Sequence, residues 1–256
     1  LAIAAGTYMN ANYAAETGVL KNVYEANAGL KISKKKNLWI DAGIFSSHIG
    51  FESAVSKDCW TLTRSILADN SPYFESGVKL TYTSDNNKWV VSGLVLNGWQ
   101  RIKRVDANSL MSYGTQLQYK PNSNITLNYS TFIGTDKPDS ARLWRYFHNV
   151  YGVINVTGKF GITAGFDIGS EQKTKGSNDF NTWYSPVLIL KYAVTPKWTV
   201  AARGEYYDDK YGVIIASGTP NGFKTAGYSV NIDYAPIPNA VIRLELRSLN
   251  SKDDVF

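Results

Sequence analysis

Residues that could perform catalysis are few in this sequence, and they are not grouped. The two histidines, His48 and His148, lie far apart in the chain, and neither has a nucleophile motif beside it. The patterns GxSxG and HExxH and a glycine-rich phosphate loop are all absent. Because an outer-membrane lipase or protease would need a nucleophile, a base and an orienting group on one rim of the barrel, we predict that the protein is not an enzyme and has no catalytic residues.

Candidate ligands for a metal or cofactor are equally sparse. Cys59 is the only cysteine, which excludes an intrachain disulfide and a cysteine-rich zinc site. Four acidic residues in predicted loops could attract Ca²⁺, but solvated charge is the more common state of such residues. These four are Asp208, Asp209, Asp253 and Asp254. We therefore predict neither a metal site nor a cofactor site.

The formal net charge of +6 raises the question of a nucleic-acid partner. The basic residues are scattered along the chain, and the one run, Lys34-Lys35-Lys36, lies in a predicted tight turn. No basic stripe or nucleic-acid motif is present. We therefore predict that the protein does not bind nucleic acid.

The dominant pattern is an alternation of apolar and polar residues, as in Ile125-Thr126-Leu127-Asn128-Tyr129. This period of two is typical of strands with two different faces. No apolar run approaches the ~18–20 residues of a spanning helix. A membrane location would therefore require a closed barrel of strands.

The alternating segments predict thirteen strands, several of which are as long as the ~9–11 residues of a tilted membrane strand. They lie near residues 1–9, 23–33, 37–45, 73–84, 88–99, 109–120, 124–133, 142–157, 160–170, 181–193, 197–207, 223–235 and 239–248. The gaps between them are alternately short and long. This arrangement predicts an all-β fold, an antiparallel up-and-down transmembrane β-barrel with tight turns at one end and longer loops at the other.

The whole chain, 1–256, is predicted to be one outer-membrane barrel domain. The last predicted strand has no return strand, and Leu1 follows neither a starting Met nor a basic leader. Because bacterial single-chain barrels have an even number of strands, we expect the domain to be incomplete at both ends, with 14–16 strands in the complete protein.

The polar face of the strands is expected to line the lumen, because aromatic residues concentrate near strand ends as in interfacial girdles. The girdle set is Tyr73, Phe74, Tyr82, Trp89, Trp99, Trp183, Tyr192, Trp198 and Tyr206. The predicted pore-lining set is Glu25, Lys31, Glu75, Lys79, Gln116, Gln118, Arg145, Asp167, Arg203, Glu205, Asp233, Arg243, Glu245 and Arg247. Its acids and bases are balanced, which predicts weak ion selectivity. The alternative is that neighbouring charges pair and brace the wall.

The longest connection, 46–72, is the second candidate site. Its middle, Val55 to Leu67, is expected to form a short helix with Ser56 as its N-cap. If the loop folds inward it would constrict the pore, and the constriction residues would be His48, Glu52, Lys57, Asp58 and Arg64. The alternative is that the loop packs on the rim or on a partner, with its charges solvated.

Residues 37–99 resemble the OmpL-like β-barrel porin-2 family. The resemblance lies in an acidic-Gly strand, a G-x-E loop, an aromatic with Arg-Ser, a Pro-aromatic pair and a Gly-led strand. These are Asp41 and Gly43, Gly50 and Glu52, Trp60 with Arg64 and Ser65, Pro72 and Tyr73, Gly77, then Asn97-Gly98-Trp99, with Arg203-Gly204-Glu205-Tyr206 further on. The resemblance implies a Gram-negative outer-membrane location and a porin fold, more firmly than any substrate.

We therefore predict a porin for passive, weakly selective diffusion of small hydrophilic solutes and ions, embedded in outer-membrane lipid. The alternative is a structural or assembly barrel with a plugged lumen that docks lipoproteins or another outer-membrane protein. The apolar run Tyr211-Gly212-Val213-Ile214-Ile215 in a predicted loop supports such a partner. A soluble all-β binding module would have no reason to keep its long loops at one end.

Overall fold

The computed structural model describes residues 1–256, and one 13-stranded antiparallel sheet makes up most of it. Each strand is hydrogen-bonded to its neighbours in sequence, and β1 and β13 are the two edges. The strands are β1 (Ala2–Ile3), β2 (Val23–Lys31), β3 (Asn37–Ser46), β4 (Phe74–Thr83), β5 (Trp89–Leu96), β6 (Ser112–Asn122), β7 (Ile125–Gly134), β8 (Arg145–Asn155), β9 (Phe160–Gln172), β10 (Phe180–Ala193), β11 (Trp198–Asp209), β12 (Phe223–Ile237) and β13 (Ala240–Ser251). The predicted up-and-down barrel fold is confirmed.

The first predicted strand, 1–9, is wrong over most of its length. Only β1 is extended there, and α1 (Thr7–Asn12) follows, with a 3₁₀ turn at Gly18–Asn22. Met9 and Tyr13, four residues apart, are both buried, as expected for one face of a helix.

Met9 and Tyr13 attach the N-terminal segment to strands β3 and β4. They form an apolar cluster with Ile44 and Phe74, and the Tyr13 and Phe74 rings stack with centroids 4.0 Å apart. Phe74, predicted to be part of a girdle, is therefore buried beneath the N-terminal segment.

The remaining helices are short. They are α2 (Ile66–Asp69) and 3₁₀ turns at Ser56–Asp58 and Asp139–Ala141. No helix is long and apolar enough to cross a membrane.

The connections alternate in length as the sequence predicts. The short connections fall at 32–36, 84–88, 123–124, 156–159, 194–197 and 238–239, and the longer ones at 4–22, 47–73, 97–111, 135–144, 173–179 and 210–222. Because successive strands are antiparallel, all short turns lie at one end of the sheet and all long loops at the other. We call these the short-turn end and the long-loop end.

The amphipathicity of the strands is inverted relative to a soluble protein. On β12, Tyr228 and Val230 are 62% and 54% exposed, whereas Ser229 and Asn231 between and after them are buried. Outer-face residues of β5 to β11 are likewise mostly apolar and exposed, and the inner-face residues are mostly polar, although those of β5 and β10 include Leu94, Leu96, Trp183, Val187 and Ile189. The apolar face therefore points outward, and the polar face is turned towards the lumen.

Predicted girdle residues lie on the outer face at the short-turn end, but other members of the predicted girdle do not lie on the outer face. Trp89 and Trp198 are exposed on the outer face. Trp183 is instead buried on the lumen face, where Gly169 leaves room for its indole. Trp99 packs with its edge against Phe132, again inside the barrel. The prediction was wrong for these two residues because sequence position near a strand end does not reveal which face a ring occupies.

Candidate functional site: the lumen and its inner loop

The connection between β3 and β4, residues 47–73, turns into the lumen, and we call it the inner loop. It hydrogen-bonds to lumen-facing side chains on two parts of the wall, one formed by β6 to β9 and the other by β11 to β13. These two parts are called the neutral anchorage and the charged anchorage below. The inner loop therefore crosses the lumen.

The helix predicted over Val55 to Leu67 does not form as such. A 3₁₀ turn at Ser56–Asp58 and the one-turn α2 replace it, and Ser65 rather than Ser56 is the N-cap, with its Oγ accepting from Ala68 N at 3.2 Å. The physical reason is competition for backbone donors. The N–H groups of Leu62 and Thr63 donate to wall residues instead of to helical carbonyls.

The charged anchorage is organised around Arg203 of β11. Its guanidinium donates to Thr61 Oγ1 at 3.0 Å and to Thr63 O at 2.7 Å on the inner loop. It also pairs with Glu205 at 3.2 Å and Glu245 at 3.1 Å on the wall. All three charged side chains are at most 2% exposed, so the ion pairs are shielded from water.

Both carboxylates of this network also hold the inner loop directly. Glu245 accepts from Thr63 N and Glu205 from Ile66 N, each at 2.6 Å. Charge-assisted hydrogen bonds of this length are about twice as strong as neutral ones. One buried network therefore braces the wall and fixes the loop.

A second ion pair continues the charged anchorage towards the short-turn end. Arg243 pairs with Asp233 at 2.9 Å and donates to the carbonyl of Cys59 at 2.8 Å. Arg247 pairs with Glu205 at 2.9 Å. Each of the three arginines of β11 and β13 therefore has a carboxylate partner.

The neutral anchorage uses hydroxyl, amide and carbonyl groups. The carbonyl of His48 accepts from Ser130 Oγ at 2.7 Å and Gln116 Nε2 at 3.1 Å. The imidazole Nε2 lies 2.9 Å from Thr131 O, to which the neutral ring donates. Further along, Gly50 N donates to Asn149 Oδ1 at 3.2 Å.

The lumen face of β9 also accepts aromatic rings of the inner loop. A Cβ on Gly161 would lie 2.8 Å from the indole of Trp60, and one on Gly165 would overlap the ring of Phe51. The Lys191 ammonium lies 4.1 Å from the centre of the Trp60 ring. The glycines thus provide the space into which the loop packs.

An apolar cluster fills part of the lumen near the long-loop end. It joins residues from strands as far apart in the sheet as β3 and β12, together with two residues of the inner loop. Its members are Phe45, Ile49, Ile66, Leu94, Leu96, Phe132, Phe147, Trp183, Tyr207 and Phe223. Side chains of the 210–222 loop (Val213, Ile214 and Ile215) pack against it, so these three residues of the predicted apolar run are partly buried within the protein, whereas Tyr211 is exposed.

Burial shifts the pKa of inner-loop groups, and His48 and Glu52 are the two of these that belong to the predicted constriction. Burial lowers the pKa of His48 from 6.5 to about 4, against the opposing effect of its hydrogen bond to Thr131, and the nearby charge of Lys79 lowers it further. Burial also raises the pKa of the Glu52 carboxyl, although hydrogen bonds from Ser65 oppose the shift.

The fourteen predicted pore-lining residues all lie on the polar face of the sheet, but they differ in exposure. Arg203, Glu205, Glu245 and Glu75 are buried, three of them beneath the inner loop. Lys31, at the short-turn end, is exposed. The structure thus brings the β11 to β13 charges together in pairs, and a role in contacting solute stays a prediction.

The five predicted constriction residues divide in the same way. His48 is buried, and Glu52 accepts from Ser65 N at 3.1 Å. Lys57 and Asp58 pair with each other at 3.0 Å and are largely exposed. Arg64 donates to backbone carbonyls of its own loop, one of which is Ser53 O at 3.0 Å.

Sequence reasoning missed the uncharged residues that fix the inner loop. Asn149 and Asn231 are completely buried and bond loop N–H groups, and Gly161 and Gly165 make room for its rings. All four lie on the lumen-facing parity of β8, β12 and β9, which is the signal in the sequence, but the predicted lining set contains only the charged residues and glutamines of that face.

Comparisons with known proteins agree with this architecture. The model of the family described as "Putative beta-barrel porin-2, OmpL-like" matches residues 1–256. A comparison with curated proteins returns no match. Among solved structures, OccK8 (OprE) of Pseudomonas aeruginosa is similar with a TM-score of 0.51 and 11% identity, over 83% of this chain and 63% of that chain. OccK10 (OpdN) of the same organism has a TM-score of 0.51 and 12% identity, over 86% of this chain and 64% of that one.

At such low identity these structures show the fold alone, and this chain spans less than two thirds of their length. The family match, by contrast, covers every residue. It agrees with the inverted amphipathicity and with the alternation of short turns and long loops. The chain belongs to the OmpL-like β-barrel porin-2 family and is a protein of the bacterial outer membrane.

Proposed function

We propose that the protein is a porin through which small hydrophilic solutes and ions diffuse passively, with the inner loop as the constriction of the pathway. The observation that carries this proposal is the fixed position of the inner loop across a polar lumen. It is held at Asn149 and Ser130 on one part of the wall and at Arg203 and Glu245 on the other. A loop that is anchored at both sides narrows the passage, and the anchors keep it from moving to close the passage.

Weak selectivity follows from the charges of the lumen face. The predicted lining set contains six acids and six bases, and those of β11 to β13 neutralise each other within 2.9–3.2 Å. Paired charges produce little net potential for a passing ion. The pathway is therefore expected to admit both cations and anions.

Single-channel recording in a planar bilayer tests this proposal. We expect stable conductance steps and a reversal potential near zero under a KCl gradient. A variant in which Arg203 is replaced by Met should conduct more, because the charged anchorage is weakened. A folded, heat-modifiable protein that never conducts, in either form, would contradict the proposal.

A structural or assembly barrel that docks a lipoprotein or another outer-membrane protein is the second candidate. The apolar cluster near the long-loop end favours it, because side chains from distant strands meet inside the barrel there. Replacing Phe147 and Trp183 by Ala separates the two candidates. If the wild type does not conduct and the double variant does, the lumen of the wild type is plugged. If both proteins conduct equally, the result supports the diffusion pathway.

A further inference from the structure

Lysines predominate on the lumen face near the short-turn end. Lys31 belongs to the predicted lining set, and five lysines outside that set lie on the same face at the short-turn ends of β5, β6, β9, β10 and β11. The six lysines, called the vestibule lysines below, are Lys31, Lys88, Lys120, Lys159, Lys191 and Lys197. The balance of acids and bases in the predicted lining set therefore does not extend to this half of the lumen.

Their positions along the strands place these side chains on the lumen face. Lys120 follows Gln116 and Gln118 at intervals of two residues, and Lys197 precedes Arg203 by six residues. An even interval along a strand keeps side chains on one face. The same rule holds for the other four vestibule lysines, so all six ammonium groups extend into the lumen or its mouth.

Few carboxylates compensate for these ammonium groups. None of the six vestibule lysines takes part in an ion pair. Asp233, on the same face, pairs with Arg243 at 2.9 Å. Asp41 lies directly opposite Lys79 in the ladder of β3 and β4. The short-turn half of the lumen therefore carries an excess of positive charge.

Lys88 and Lys120 form a pair across the ladder of β5 and β6. Lys120 N donates to Lys88 O at 2.7 Å, so the two residues lie directly opposite each other and share a face. The Cα atoms of such a hydrogen-bonded pair are about 5.5 Å apart. Like charges in this arrangement repel and destabilise the sheet. An anion bound between the two ammonium groups removes the repulsion.

Lys159 and Lys191 form a second, diagonal pair. Ala193 N donates to Lys159 O at 2.8 Å, and Lys191 lies two residues before Ala193 on the same face. Diagonal neighbours of this kind are about 7–8 Å apart. The Lys191 ammonium also lies 4.1 Å from the centre of the Trp60 ring, so this pair adjoins the inner loop.

The inner loop lies between the vestibule lysines and the long-loop end. Its residues nearest to them are held by the wall, since Arg243 donates to Cys59 O at 2.8 Å and Trp60 packs at Gly161. A solute that enters from the short-turn side therefore meets the lysines before it meets the constriction. A confined region lined by one sign of charge concentrates ions of the opposite sign.

We propose that the short-turn half of the lumen captures small multivalent anions, solutes that carry phosphate or carboxylate groups, before they reach the constriction. Lys88 and Lys120 together bind one anionic group, and Lys159 and Lys191 form the second such site. The inference rests on the proposed diffusion function and assigns a class of solute to it. The attraction to an ammonium pair grows with the charge of the anion. Weak selectivity between K⁺ and Cl⁻ is therefore compatible with capture of multivalent anions.

Block of single channels in a planar bilayer tests this inference on the full chain. Pyrophosphate or citrate is added to one compartment and then to the other in about 0.1 M KCl, where the Debye length is about 10 Å. We expect block from one side at a much lower concentration than from the other. The half-blocking concentration from the sensitive side should rise about tenfold in K88Q/K120Q, the size expected for two exposed charge contacts. K88R/K120R, which keeps both charges, should retain the block. Block by pyrophosphate alone assigns the site to phosphates, and block by citrate alone assigns it to carboxylates.

Two controls define the result. K137Q/K173Q removes two exposed lysines from the long-loop end and should be blocked like the wild type. Spermidine, a multivalent cation, should not block from the sensitive side. The inference is overturned by equal half-blocking concentrations in the wild type and K88Q/K120Q, by equal block from both sides, or by block with spermidine as strong as with pyrophosphate.

A protein that never conducts separates this inference from the proposed function. That result contradicts the diffusion pathway, and the capture site is then measured by calorimetric titration of pyrophosphate into the refolded protein in detergent. Affinity that falls about tenfold in K88Q/K120Q and is unchanged in K137Q/K173Q supports the site. Absence of binding, or equal affinity in all three proteins, overturns it.

Discussion

The two anchorages of the inner loop hold it by different physical means. At the charged anchorage, Arg203, Glu205 and Glu245 are buried ions that depend on one another. At the neutral anchorage, hydroxyl and amide groups such as Ser130 and Gln116 each make separate bonds to the loop. Removing Arg203 would leave the buried Glu245 carboxylate without a cationic partner, whereas removing one neutral donor costs one uncharged hydrogen bond. The two sides should therefore differ in their sensitivity to mutation.

The largest effect is expected from Arg203→Met. Glu245 would lose its only cationic partner, and Thr61 and Thr63 would lose a donor. Breaking a buried pair in this way costs about 3–5 kcal/mol. We expect this loss in the free energy of unfolding measured in urea, together with a higher single-channel conductance. Arg142→Met, which breaks the more exposed pair with Asp139, should lower the stability far less, because exposed ion pairs contribute little. Equal losses in both variants would remove the distinction between a buried network and an exposed pair.

The second-largest effect is expected from acidification, which should weaken the neutral anchorage. The pKa of His48 is lowered from 6.5 to about 4 in the folded protein, so the unfolded chain takes up a proton at a higher pH than the folded one. Stability should therefore fall as the pH falls from about 6.5 to about 4, by up to about 3 kcal/mol. Unfolding of the wild type and His48→Asn across this range measures the effect. The same pH dependence in both proteins would show that His48 is not its source.

A smaller effect is expected where the loop packs on β9. Gly161→Ala places a Cβ 2.8 Å from the Trp60 ring, and accommodating it should cost about 1–3 kcal/mol. Gly93→Ala is the matched control, because no atom lies within 4 Å of its added Cβ. Thermal unfolding can be followed by heat-modifiability on gels. The midpoint temperature of unfolding should be lower for Gly161→Ala and unchanged for Gly93→Ala. A midpoint that is unchanged in both variants would mean that the ring moves freely.

The smallest effect should follow from Ser130→Ala. The His48 carbonyl keeps the amide of Gln116 as a donor, so the loss should be about 1 kcal/mol. Ser130→Ala combined with Arg203→Met tests whether the anchorages are independent. Additive losses are expected, since the two sites share no partner, and a strong deviation from additivity would show that the loop transmits the change.

The fold was largely predictable because inverted amphipathicity is periodic. Twelve strands lie within a few residues of their predicted bounds, since each has a lipid face and a lumen face. The structure of the N-terminal segment was not predictable, because the helical face that Met9 and Tyr13 form is too short to be distinguished from a strand. The contacts of the inner loop could not be predicted from the sequence for another reason. They join residues far apart in the chain, 139 positions for Ile66 with Glu205 and 182 positions for Thr63 with Glu245.

Those same separations determine the order in which the molecule can assemble. The inner loop follows β3, but its partners Asn231 and Glu245 lie on β12 and β13. Its bonds to the charged anchorage therefore cannot form until the last strands have joined the sheet. Contacts of such long range are slow to form, because the chain between them must first be ordered. Refolding should accordingly show two kinetic phases, with the sheet formed in the first and the lumen filled in the second.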